Sequence, residues 1–146
     1  MEAKEKMKVY FAHPRKSETD GSAKMVIFAI RNNLWDWVFV NPFNSPLTKK
    51  WYENLGDQEI ANEIVDGKDL PLIESCDMVF AYLPFPSIGT AIEIWESCRR
   101  YYKPVVVLTE ITHPWLIASG AIITRTVDQA ILTMKGFASL KTVEEA

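Results

Sequence analysis

Five short apolar runs punctuate the chain, separated by amphipathic stretches of helical length. Residues 7–12, 37–40, 77–83, 104–108 and 121–124 are too short for buried helices. They are rich in Val, Ile, Phe and Tyr, and so read as strands. The run at 77–83 is apolar without alternation, the mark of a strand covered on both faces. Between 19 and 34, Ala23, Val26, Ile27, Ile30 and Leu34 recur at helical spacing. Residues 58–65 read as a helix that Gly67 ends, and a further helix carries Leu70, Leu72, Ile73 and Cys76. After Ser87 the stripe Ile88, Ala91, Ile92, Trp95, Cys98 and Tyr102 predicts a helix with one apolar face. Residues 127–134 predict a last amphipathic helix, with 1–6 and 137–146 as tails. Strands that alternate with helices in this way build an α/β domain around a parallel sheet.

Composition narrows the class. At 146 residues the chain is expected to form one domain, 1–146, with a full core. Apolar residues at 48% and charged residues at 24% are ordinary for a globular protein. A formal charge of −3 argues against a nucleic-acid polymer as partner, because such binders carry a basic footprint. The two cysteines, Cys76 and Cys98, lie far apart in apolar helix patterns and read as core residues. No run reaches the ~18 apolar residues of a membrane span. With no secretory leader evident, a cytoplasmic address is expected.

Ligands of doubly wound sheets bind beyond the carboxyl ends of the strands. The loops after Phe11, Leu83 and Leu108 therefore matter most. The second holds Pro86-Ser87-Ile88-Gly89-Thr90-Ala91-Ile92-Glu93. Gly89 lets a sugar or phosphate approach the backbone, and the helix start offers unpaired N–H groups to an anion. Glu93, near that positive helix end, is expected to be ionised. A positioned carboxylate facing a sugar pocket is what attack on an anomeric carbon requires.

Plainer readings stand beside these. Ser87 suits a helix N-cap, and so does Asp69 ahead of Leu70-Pro71. Asp77 suits a turn anchor, Glu96 and Arg100 a surface pair, and Arg15 and Lys16 solvated loop charges. Tyr10 nears the carboxyl end of the first strand and reads as site-lining. His13 and His113 lack the companions a metal would need. No GxGxxG, GxxxxGK[ST] or GxSxG motif is present, which removes the main support for dinucleotide, P-loop and serine-hydrolase chemistry.

Four short blocks within residues 9–131 resemble the nucleoside 2-deoxyribosyltransferase superfamily, most nearly its 2′-deoxynucleoside 5′-monophosphate N-hydrolases. They are Tyr10-Phe11, Asp69-Leu70 ahead of Asp77, Pro86-Ser87-Ile88-Gly89 with Glu93, and Lys103-Pro104-Val105. The resemblance implies a single doubly wound, flavodoxin-like domain with a five-stranded parallel sheet and helices on both faces. It implies that Glu93 attacks C1′ of a nucleoside or nucleotide, that Asp69 assists the departing base, and that Ser87 and Gly89 hold a 5′-phosphate. Arg15 would add charge to that subsite, and no metal or cofactor is called for. Water would resolve the glycosyl-enzyme in a hydrolase and a second base in a transferase. A nucleotide-binding domain without turnover is the remaining alternative. The family's habit also implies a homo-oligomer. Two departures stand out: the first loop, His13-Pro14-Arg15-Lys16, lacks the usual glycines, and the region 41–54, with Trp51 and Tyr52, has no family counterpart.

Overall fold

In the computed structural model, which describes residues 6–44 and 56–145, the apolar runs become five strands. They are β1 (Lys8–Ala12), β2 (Val38–Val40), β3 (Met78–Leu83), β4 (Val105–Thr109) and β5 (Ile122–Thr124). All neighbours pair in parallel, in the order β2-β1-β3-β4-β5. The chain direction across the sheet reverses between β1 and β3, which makes the carboxyl ends of these two strands the natural ligand crevice.

Successive strand residues leave opposite faces of the sheet. Val9, Phe11, Phe80 and Val106 build one core; Tyr10, Val79, Ala81 and Val107 build the other. The first face is covered by α2 (Ser22–Asn33), through Ala23, Ile30 and Leu34, and by α7 (Val127–Glu145), through Ala130 and Met134. The second is covered by α4 (Leu70–Ser75), α5 (Ile88–Arg99) and α6 (Pro114–Ala118), through Ile73, Ile94 and Leu116. This is the expected α/β, flavodoxin-like arrangement with helices on both faces.

Several local expectations are corrected. The stretch 19–34 is not one helix: α1 (Arg15–Thr19) and α2 meet at Gly21, whose φ of +84° suits glycine. Gly67 does not break its helix. Helical backbone runs from α3 (Asp57–Ile60) through a π-helical stretch (Ala61–Asp69) into α4. A side chain at Gly67 would sit 3.2 Å from the Asn62 carbonyl, so the wide turn is fitted to a glycine. Asp69 consequently has helical dihedrals and caps nothing. The tail expected at 137–146 is instead the end of α7, which runs to Glu145 and packs Phe137 against the core. Residues 1–5, and Trp51 and Tyr52 of the region 41–54, lie outside the described residues. Among the described residues no helix is long and apolar enough to cross a membrane.

Asp77 is an anchor, though of β1 and α7 rather than of a turn. Its Oδ2 accepts the Lys8 backbone N–H at 2.9 Å, and Oδ1 pairs with the Lys141 ammonium of α7. Partial burial would raise its pKa, but the Lys141 and Lys8 contacts outweigh this and hold it below the ordinary value. The stabilisation is therefore present above pH ~4 and lost as pH falls through the depressed pKa. Asp77→Asn is expected to cost about 1 kcal/mol at neutral pH, as measured by urea unfolding, and nothing in strong acid.

Candidate active site

The carboxyl end of β1, the π-helical stretch and α5 converge beside the switch point. α5 does not bury the stripe expected of it. Thr90, Ile94 and Ser97 face the sheet, while Ile88, Ile92 and Tyr102 are exposed. Glu93 is carried inward with the sheet-facing set. Its backbone carbonyl accepts the Ser97 hydroxyl at 2.6 Å, which steadies the turn beneath it. Tyr10 is fully buried in the same layer, and its hydroxyl donates to Glu93 Oε2 at 2.5 Å.

The ionisation of Glu93 differs from expectation. Burial pushes its carboxyl up to about 8, opposed by the Tyr10 hydrogen bond, reinforced by the nearby Asp69 charge and eased by Lys68. At neutral pH it is mostly a neutral acid. The positive end of the α5 dipole falls off within the first turn, whereas Glu93 lies beyond it with its carboxyl packed under the Tyr10 hydroxyl. Desolvation prevails. Tyr10→Phe removes a hydrogen bond that favours the charged form, so Glu93 is expected to stay neutral to a higher pH than in the wild type. Infrared titration of the carboxylic-acid band checks this, and a band that vanishes at the same pH in both proteins would contradict it.

Asp69 ends the π-helical stretch with its side chain largely buried. Burial raises its pKa, and the Lys68 ammonium, 2.9 Å from Oδ1, opposes that. The ammonium approaches off the hydrogen-bonding direction. Oδ1 is thus the one buried side-chain oxygen among the described residues with no hydrogen bond. Lys68 donates instead to the Pro42 carbonyl at 2.6 Å, tying the π-helical stretch to the loop after β2.

The phosphate candidates lie at the head of α5 and on α1. Ser87 is the N-cap its plainer reading foresaw: its Oγ accepts the Thr90 N–H at 3.5 Å. Gly89 is exposed, and a side chain there would meet nothing within 4 Å, so no packing contact calls for a glycine. Arg15 is exposed at the start of α1 rather than in a loop. Its neighbour Lys16 leans over the β3–α5 loop, with its ammonium 5.6 Å from the centre of the Phe85 ring.

Comparison with known proteins bears on the fold. No family model and no curated protein matches the sequence. Solved structures do match. A conserved protein from Enterococcus faecalis is 16% identical with a TM-score of 0.71, over 90% of this chain and 99% of that one. A 2-deoxyribosyltransferase from Bacillus psychrosaccharolyticus is 18% identical with a TM-score of 0.58, over 85% and 90%. A CMP N-glycosidase from Clostridium botulinum is 20% identical with a TM-score of 0.49, over 88% and 98%. The first two establish a shared fold.

Some of the site was missed from sequence. His13, set aside as a lone histidine, is buried, with Nε2 2.7 Å from Glu18 Oε2 and Nδ1 3.1 Å from the Phe11 carbonyl. Asn41 donates to the same Glu18 carboxylate at 3.2 Å, and Phe43 meets the His13 ring edge-on. Burial pulls the His13 pKa down against the Glu18 charge. Residue 113 proves to be the N-cap of α6, its Nδ1 accepting the Trp115 N–H at 3.2 Å. An apolar groove of about 540 Å³ runs between α5 and α6, lined by Ile88, Ile92, Trp95 and Trp115. It lies on the far side of α5 from Glu93, and Ser87 borders it.

Proposed function

We propose that the protein cleaves the N-glycosidic bond of a (deoxy)nucleoside 5′-monophosphate or nucleoside and releases free base. The carrying observation is the junction of Tyr10, Glu93 and Asp69 at the switch point of the sheet, with Glu93 held by the Tyr10 hydroxyl. The fold shared with a 2-deoxyribosyltransferase is consistent with this reading.

In the reaction, the Glu93 carboxylate attacks C1′ as the C1′–N bond breaks. The bond's electron pair goes to the base nitrogen, and a proton passes from the Asp69 carboxyl to the base. Water then adds to C1′, giving its proton back to Asp69 and freeing Glu93. The sugar keeps its configuration after two inversions. Tyr10 keeps one Glu93 oxygen in hydrogen bond and leaves the other for attack. The α5 N-terminus at Ser87 and Gly89, with Arg15 from α1, would receive a 5′-phosphate. The proposal includes a homo-oligomer, for which the exposed apolar groove beside Ser87 offers a surface.

The test is chromatographic release of free base from a panel of nucleoside and deoxynucleoside monophosphates and free nucleosides. Release by the wild type that collapses in Glu93→Gln supports the reading. A new nucleoside formed only when a second base is supplied would shift it to transfer. Tight nucleotide binding without release, unchanged in the variant, would overturn catalysis altogether.

A further inference from the structure

The contacts in the resting site favour a charge placement opposite to the one the chemistry needs. Attack requires an ionised Glu93 and a protonated Asp69. In the structure the Glu93 carboxyl lies under the Tyr10 hydroxyl, while Asp69 lies against the Lys68 ammonium at 2.9 Å. Adjacent residues on a helix do not ordinarily face each other. Lys68 nonetheless brings its ammonium to its neighbour's carboxylate, and the same ammonium donates to the Pro42 carbonyl at 2.6 Å. Its contact with Asp69 is a close charge contact, and the ammonium divides its donors between that carboxylate and the Pro42 carbonyl.

Resting on the glycosidase reading above, we propose that Lys68 is a positioning residue that decides which carboxyl, Glu93 or Asp69, carries their shared proton. Docked on Asp69, it keeps that carboxyl ionised and leaves the proton on Glu93. Drawn off Asp69 as substrate arrives, it lets the proton pass to Asp69, and the negative charge appears on Glu93. No proton is gained or lost in the exchange. The nucleophile is masked in the resting protein and unmasked together with the acid that protonates the base.

Among the described residues, these charged groups surround the pair. Tyr10 faces Glu93 from β1, Asp69 and Lys68 face it from the π-helical stretch, and on α5 itself Glu96 turns away to Arg100. At the same edge of the sheet Glu18 is engaged by His13 and Asn41, and Lys16 leans over Phe85. Among the described residues Lys68 is the cation that acts on both carboxyls.

The test needs no turnover. Protein labelled with carbon-13 at the Asp and Glu carboxyls is titrated by NMR, with Asp69→Asn and Glu93→Gln used for assignment. In the wild type the Asp69 midpoint should lie below that of Glu93. In Lys68→Met the Asp69 midpoint should rise by about one unit or more, and by more than that of Glu93, because the contact with Asp69 is the direct one. Lys68→Arg keeps the charge and should leave the order unchanged. Equal movement of both midpoints in Lys68→Met, no movement, or the same change in Lys68→Arg would each overturn the assignment. A wild type that titrates as expected but releases no base would sink the glycosidase reading and leave the proton placement standing.

Discussion

Glu93→Gln is expected to lower base release by a factor on the order of 10⁴ or more while making the protein more stable. The amide has the shape of the carboxyl and its oxygen still accepts the Tyr10 hydroxyl, but it cannot form the glycosyl ester. Stability moves the other way because of the buried proton. Native Glu93 releases it only near 8, whereas an ordinary glutamate does so near 4.5. Between these values the native state binds more protons than the unfolded chain. Stability therefore falls as pH rises, by up to ~1.4 kcal/mol per pH unit. The contribution is complete below about pH 4.5 and gone above about pH 8. Gln carries no such proton, so the two melting curves should coincide in mild acid and diverge in favour of the variant toward pH 8. Thermal unfolding across that window measures it. Parallel curves would show that Glu93 titrates normally, and retained base release would show that another group attacks the sugar.

The sheet was legible because its physics is local. A parallel strand covered on both faces must be a short, nearly continuous apolar run, and each of the five lies within one residue of its expected bounds. The helices were less so. Gly67 ordinarily ends a helix, but a π turn brings the Asn62 carbonyl so close that glycine continues it. The α5 stripe of Ile88, Ile92 and Trp95 has helical spacing, yet Thr90 and Ser97 were given the buried face and the stripe lines an open groove. Hydrophobicity alone could not reveal that inversion.

Tyr10, Asp69 and Glu93 were each named from sequence, but their junction depends on how β1, the π-helical stretch and α5 meet at one end of the sheet. The neutral state of Glu93 was illegible for the same reason: the local signal, a helix start, favours charge, and the decisive one is burial by distant chain. Lys68 was hidden by its own position. As the immediate neighbour of Asp69 it belongs by helical geometry to another direction, and only the contacts of its ammonium with Asp69 and Pro42 place it in the site.

Asp69→Asn should cost base release about 10²- to 10⁴-fold, the usual worth of a general acid, and the loss should depend on the leaving base. A base that departs as an anion needs the proton and should show the full effect. A nucleoside methylated at a ring nitrogen, whose base already carries a positive charge and leaves neutral, needs none and should react almost as in the wild type. A second consequence separates the acid from a residue that merely shapes the pocket. The Asp69 charge helps to raise the Glu93 pKa, so removing it moves Glu93 downward and leaves more of the carboxylate at neutral pH. With the methylated substrate the acid limb of kcat/KM should then shift to lower pH, and activity near pH 6 should meet or exceed that of the wild type. Equal losses on both substrates, with the acid limb unmoved, would mean that Asp69 neither gives the proton nor feels the charge of Glu93, and the reaction would require a different acid.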